Sequence, residues 1–451
     1  MEPNKIKKIE YSKAPPSGGG GGIYNYADLS SADIANLVQR NVDPANHVRD
    51  AVEEILARVH LHGDDALYDY AVKFEKVVLD KLFLTRSEFN ELASGVSAEQ
   101  KAALDTAYKN IYTFHQSQLK TEDKVETMPG VTCWREIRPI EKVGLYIPGG
   151  TAVLPSTMLM LGIPAQIAGC KEIVVCTPPQ QDGKVNPFIA YVALLLGIDK
   201  IYLAGGAQAI GAMAYGTDSI PKTDKIFGPG NQYVTKAKTI IQSTTTTAID
   251  MPAGPSEVLV IADENANPVF VAADLLAQSE HGIDSQAILV TNSATIAQQT
   301  IEELNKQLPV LPRAEIAAKA IENSYVVLTN TLDEAMDFSN QYAPEHLILA
   351  TANWQQLTPN IINAGSVFLG NLTPESAGDY ASGTNHTLPT SSFAKAYSGV
   401  SVDSFVKKIT FQHISPDGIR NIGPTVEILA ELEGLQAHKN AVSVRMSPQT
   451  P

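Results

Sequence analysis

The chain has 451 residues, with 49 acidic and 34 basic side chains and a net charge of −15. That balance excludes nucleic acid and an anionic membrane surface as natural partners, since both demand a cationic face. A hydrophobic content of 44% against 18% charged residues describes a globular chain, and the length predicts two to three domains.

The start, through Pro15 and Pro16, is basic and has no apolar core of the kind a secretory leader carries. Ser17 and the run Gly18–Gly22 follow, and they read as a flexible arm or a plain linker. From Asp43 to Glu75 the pattern turns helical: Val48, Val52, Ile55, Leu56 and Val59 recur at i, i+3, i+4 spacing, and Gly63 closes the run. His60 and His62 lie about 200° apart around such a helix and cannot chelate together, so they read as helix-end histidines. Further helical stretches are expected over Arg86–Leu119.

The middle third alternates short β-rich runs with alanine-rich segments of helix length. Lys142–Tyr146, Glu172–Cys176, Lys200–Leu203 and Lys225–Phe227 each end in Gly or Pro. The alternation returns with Val258–Ala262, a helix over Pro268–His281, Ala287–Val290, Tyr325–Leu328, a helix before Tyr342, and Leu347–Ala350. This is the pattern of parallel α/β lobes in series. The last fifty residues read as helices, with Pro424 at a first-turn position and Gly434 as a breaker. No apolar run approaches the ~20 residues of a bilayer span. Cys133, Cys170 and Cys176 lack metal-site spacing and point to a reducing, cytoplasmic compartment.

Several polar groups interrupt this framework. Gly228-Pro229-Gly230-Asn231 and Gly205-Gly206-Ala207-Gln208 follow strands and open helices, a place where backbone amides bind phosphate or ribose, although neither is a strict dinucleotide fingerprint. Gln278 and His281 share one face at a helix end; Asp379 lies in a glycine-flanked loop, and His438 follows Gly434. Together they form an N/O donor set able to hold Zn²⁺ or Mn²⁺, or simply solvated polar residues. Glu345-His346, set behind Pro344 at the mouth of an apolar strand, suits proton transfer or is a solvent-facing pair at a strand entry. Pro344 is expected to force an extended approach to that strand. Asn385-His386 and Glu433 are similar polar insertions.

Taken in order, VGLYIPGG (Val143–Gly150), LPST (Leu154–Thr157), GGAQAI (Gly205–Ile210) and KIFGPGN (Lys225–Asn231) are followed by DMPAGPSEVLVIAD (Asp250–Asp263) and QSEHGIDSQ (Gln278–Gln286). APEHL (Ala343–Leu347), ESAGDYASGTNHTLPT (Glu375–Thr390) and EGLQAHKNAV (Glu433–Val442) complete the set. From about Ile23 onward the chain strongly resembles histidinol dehydrogenase. The resemblance implies two Rossmann-like, aldehyde-dehydrogenase-like lobes: a discontinuous first lobe (26–145 and 257–400) and a second, NAD-side lobe (146–256). A flexible arm (1–25) would precede them, and a helical dimerisation segment (401–451) would follow.

The resemblance further implies NAD-dependent oxidation of L-histidinol to L-histidine through histidinal, with one zinc per subunit. Zinc would fall on Gln278, His281, Asp379 and His438. Substrate contacts would fall on Ser256, Gln278, His281, His346, Asp379, His386, Glu433 and His438, and NAD contacts on Tyr146, Gln208 and Asn231. Glu345 and His346 would be the acid/base pair, in a homodimer whose sites are shared between subunits. Two rivals stand beside this reading: an aldehyde-dehydrogenase mechanism through a catalytic cysteine, and a metal-dependent hydrolase or binder without redox chemistry.

Overall fold

The computed structural model describes residues 21–40, 46–149 and 153–446; Gly18–Gly20 and the expected helix start at Asp43 lie outside them. In chain order the strands are β1 (Ile23–Asn25), β2 (Phe83–Thr85), β3 (Val125–Met128), β4 (Val131–Pro139) and β5 (Lys142–Tyr146). Next come β6 (Glu172–Thr177), β7 (Lys200–Leu203), β8 (Lys225–Phe227), β9 (Ala248–Ile249) and β10 (Glu257–Ala262). The last are β11 (Gln286–Thr291), β12 (Tyr325–Leu328), β13 (His346–Ala350), β14 (Ser366–Leu369) and β15 (Val406–Ile414).

Two six-stranded sheets carry the fold. One runs β1-β12-β11-β10-β13-β14 and is parallel throughout. The other runs β2-β7-β6-β5-β8-β9 and is parallel except for β2, which is antiparallel to β7. Counted from β10 in one and from β5 in the other, the consecutive strands take the order 3-2-1-4-5, the doubly wound arrangement of dinucleotide-binding folds. Central β10 is buried along its whole length because helices cover both of its faces. Leu275 and Leu276 of the helix Pro268–Ser279 pack on Val258 and Val260, while Met336 and Phe338 of the helix Leu332–Tyr342 pack on Leu259 and Ile261.

Four sequence expectations change here. The segment 46–116 does not join the first lobe. Val52, Leu56 and Val59 of the helix Asn46–Tyr70, Phe89, and Ile111 share one core with Val143, Ile201 and Ile226 of the second sheet. Gly211 lies against Leu56 and Val59, so the absence of a side chain there lets two helices meet closely. Among the described N-terminal residues, 21–40 reach across to the β10 sheet, and Ile23–Asn25 are its edge strand beside β12, not part of an arm. Gly63 does break the long helix, with φ 50° and ψ −124°.

The C-terminal segment is also not purely helical. β15 pairs with β4 over nine residues in a three-stranded antiparallel sheet, β15-β4-β3, before the helices Pro416–Leu432 and Gln436–Met446 begin. Pro416, behind the Ser415 cap, holds the first-turn position, and Pro424 lies inside the helix. No helix among the described residues is long and apolar enough to cross a membrane.

Candidate active site

His346 opens β13 at the amino edge of the first sheet, paired in register with Val258 of β10. The chain reaches it from the helix Leu332–Tyr342 through Ala343, which caps that helix in the left-handed region (φ 56°, ψ 65°), and then Pro344. The expected extended approach is therefore replaced by a left-handed turn, which also satisfies the proline's exclusion of α geometry at the preceding residue. This strained residue is held by its N–H bond to the Ser339 carbonyl at 2.8 Å.

Glu345 and His346 are both buried, with three carboxyl groups gathered around the imidazole. Nδ1 of His346 lies 3.1 Å from the Glu257 carbonyl, 3.6 Å from Glu375 and 3.8 Å from Glu345, and Nε2 lies 3.5 Å from Asp379. The Glu257 N–H donates to Glu345 Oε2 at 2.9 Å, and the Ser391 N–H donates to the Glu257 carboxylate at 2.5 Å. Arg40 approaches Glu257 at 4.0 Å and donates to Gln286 and Tyr342. Ligand atoms of His281, Glu375 and Asp379 lie within 4.8 Å of one another. Gln278 is fully buried beside them; Glu375 Oε1 at 2.8 Å and the Glu257 carbonyl at 3.2 Å are acceptors that require its amide nitrogen on that side, 3.2 Å from His346 Nδ1.

The titration behaviour follows from this crowding. Burial pushes Glu345 up to about 8, against the pull of the His346 charge. Glu375 is likewise pushed up to about 8 by burial, and Glu257 to about 6. Burial works against a charged His346, but Glu375, Glu345 and Asp379 outweigh it and hold the imidazole well above its ordinary value. Burial also disfavours the Asp379 carboxylate, yet its contact with His346 keeps it below the usual range. So many carboxyl groups around one imidazole make a pocket suited to a cation.

The second lobe faces this cluster through the helix Pro155–Ala168. His386 bonds the Asp379 carbonyl at 2.9 Å and reaches Thr157 Oγ1 at 3.1 Å, while Asn385 donates to the Met160 carbonyl at 2.6 Å. Ser256 immediately precedes β10 on the same edge. At the carboxyl ends of the second sheet, Tyr146 closes β5 and its hydroxyl accepts the Gly206 N–H at 3.1 Å. Gln208 donates to Glu75 at 3.3 Å, and exposed Asn231 caps the helix Gln232–Thr244. Asp250 accepts the Gly228 N–H at 2.8 Å and pairs with Lys238, whose ammonium donates to the Gly228 carbonyl at 3.0 Å. The turn Gly228–Asn231 is thus clamped at the switch point between β5 and β8, where open α/β sheets bind ligands.

Two of the three cysteines, Cys170 and Cys176, offer no nucleophile. Burial pushes the Cys176 thiol far up and the Cys170 thiol up to about 12, so neither supplies a thiolate near neutrality.

Glu433 and His438 are not brought to the cluster within one chain: both are exposed on the C-terminal helices, and His438 is absent from the metal-donor group. Conversely, Glu257, Glu375 and Arg40 escaped the sequence reading. Glu375 and Asp379 belong to a short helix, Glu375–Tyr380, not a loop, and their i, i+4 spacing was the available signal. Glu257 could have been noticed as an acid opening a wholly apolar strand.

Two doubly wound lobes meeting over a buried histidine–carboxylate cluster, with a clamped glycine turn on the second sheet, define a two-lobed α/β protein of the dinucleotide-binding type of fold. The histidinol dehydrogenase family profile matches residues 38–446. A histidinol dehydrogenase of Bacteroides thetaiotaomicron is 57% identical over 93% of this chain and 97% of its own length. The chloroplastic enzyme of Arabidopsis thaliana is 53% identical over 94% of this chain and 91% of its own. The crystal structure of histidinol dehydrogenase from Elizabethkingia anophelis superposes with a TM-score of 0.90 at 54% identity, covering 94% of this chain and 97% of that one. The chain belongs to the histidinol dehydrogenase family.

Proposed function

We propose that the protein oxidises L-histidinol to L-histidine through histidinal in two NAD-dependent steps, the close of histidine biosynthesis, with one zinc ion per subunit. The observation that carries this reading is the buried Glu345–His346 pair beside the His281–Asp379 donors at the junction of the lobes. The donor chemistry fits the metal: a carboxylate, an imidazole and an amide oxygen form a set suited to zinc, in a pocket rich in carboxyl groups. Gln278, His281 and Asp379 would hold it, with His438 from a second copy as the remaining ligand. Zinc, when bound, supplies a Lewis acid that orients the imidazole and amine of the substrate. NAD⁺ supplies the hydride acceptor, with Tyr146, Gln208 and Asn231 as its contacts.

The chain's own groups divide the proton chemistry. The Glu257 carbonyl accepts the Nδ1–H of His346, so once the imidazole is neutral Nε2 is the basic atom, which removes the hydroxyl proton as hydride leaves carbon. Nε2 is buried and faces Asp379 Oδ1 at 3.5 Å. Glu345, held through Oε2 by the Glu257 N–H, activates the water that adds to the aldehyde. Ser256, Asp379, His386 and, from the second copy, Glu433 complete the substrate pocket.

A second copy is supported by the C-terminal helices, where Ile428, Leu429, Leu432 and Leu435 stand exposed at 60, 54, 78 and 43%. Such a face needs a cover, and a two-fold partner would bring Glu433 and His438 to a site that lacks them. The test is product analysis with L-histidinol and NAD⁺. Two NADH per histidine without free aldehyde are expected; one NADH with accumulating aldehyde overturns the reading.

A further inference from the structure

An amide side chain has a donor end and an acceptor end, so whatever fixes one end aims the other. Gln278 is fully buried, and its amide nitrogen has two hydrogens to place. One goes to Glu375 Oε1 at 2.8 Å, and the other to the Glu257 carbonyl at 3.2 Å, which also takes His346 Nδ1. Glu375 is itself fixed. It is 1% exposed and starts the helix Glu375–Tyr380, and its backbone N–H bonds the Asp274 carboxyl. Asp379 lies one turn further along the same helix, so one short element carries both a donor and the group that faces Gln278.

We propose that Glu375 is a positioning residue, which accepts the Gln278 amide N–H and thereby presents the Gln278 carbonyl oxygen to the metal pocket of His281 and Asp379. The proposal rests on the metal reading above. The Glu375 carboxyl could instead be a ligand, since its oxygens lie within reach of the same pocket. Its Oε1 already holds the amide while Oε2 is buried without a hydrogen-bond partner, so a Co²⁺ spectrum separates the two roles; without Glu375 the Gln278 amide loses its orienting partner. Half-turned, the amide presents N–H groups to a cation, which cannot ligate. Groups that orient a ligand in this way change metal affinity by roughly 10–100-fold when altered.

The test is Zn²⁺ binding to metal-stripped full-length protein, measured by competition with a chelating indicator, for wild type, Glu375→Met, Gln278→Glu and the exchange Gln278→Glu/Glu375→Gln. Glu375→Met fills the same space without an acceptor and is expected to bind roughly 10–100-fold more weakly. Gln278→Glu sets two carboxyl groups against each other, whereas the exchange rebuilds the amide–carboxyl pair in reverse and recovers most of the affinity. At saturation, the Co²⁺ absorption spectrum of Glu375→Met should match wild type. Wild-type affinity in Glu375→Met, an exchange no better than Gln278→Glu, or a Co²⁺ spectrum showing a changed coordination number would each overturn the proposal. Wild type that binds no Zn²⁺ overturns the metal reading and the proposal with it, whereas wild type that binds while Glu375→Met binds equally removes the proposal alone. If Glu375→Met fails to fold, Gln278→Glu against the exchange carries the same comparison.

Discussion

Lys238→Met is a sharp test of how the second lobe holds its glycine turn. Lys238 and Asp250 form a buried ion pair, with side chains 5 and 1% exposed, and both bond the backbone of Gly228. Removing the ammonium leaves a buried carboxylate without its counter-charge, a change that costs about 3–5 kcal/mol when one partner of such a pair is lost. Asp250 retains two backbone donors, Gly228 N–H at 2.8 Å and Met251 N–H at 2.7 Å, which places the loss near the lower bound. For a lobe of this size about 3 kcal/mol lowers the melting temperature by roughly 6–12 °C. Scanning calorimetry reads that shift, and Lys238→Met/Asp250→Asn should recover more than half of it, because the uncompensated charge is gone. The KM for NAD⁺ should rise in both variants, since the Gly228 carbonyl loses its donor. A loss under about 1 kcal/mol in Lys238→Met, or a double variant no more stable than the single, would refute the reasoning.

Four further outcomes are expected. His346→Asn should impair oxidation of both histidinol and supplied histidinal, whereas Glu345→Gln should damage the aldehyde step more; equal activity of Glu345→Gln on aldehyde removes its water-activating role. Chelation should abolish turnover while circular dichroism stays near native, because each lobe has its own apolar core, and Zn²⁺ should restore activity. Refolding Glu345→Ala with His438→Asn, each inactive alone, should recover roughly a quarter of the sites if sites are shared across a two-fold axis, and none if each chain builds its own. Glu75, pushed up to about 7 by burial, binds more protons folded than unfolded between its ordinary value and about 7. Wild-type stability should therefore fall as pH rises from about 4.5 to 7, relative to Glu75→Gln, and parallel pH profiles in urea melts would contradict this.

The sequence by itself determined the parallel α/β strands and the residues at their ends. Runs such as Val258–Ala262 and Leu347–Ala350 are apolar throughout because both faces of a parallel strand are covered, and that continuity is visible without coordinates. The Glu345–His346 pair was legible for a related reason: charge at the entry to such a strand stands out against its background. Strands β4 and β15 were not legible, because an antiparallel pair with one open face carries polar residues that resemble helix or loop. Which lobe the helix Asn46–Tyr70 joins was settled by Gly211, which admits Leu56 and Val59 to the second core, a contact between residues far apart in the chain. Likewise, only the meeting of β10, β13 and two separate helices brings Glu257, Gln278 and Glu375 to one imidazole. Local periodicity reports which face of an element is buried; it carries no information on which distant element covers that face, and the chemistry of this site lies in that choice.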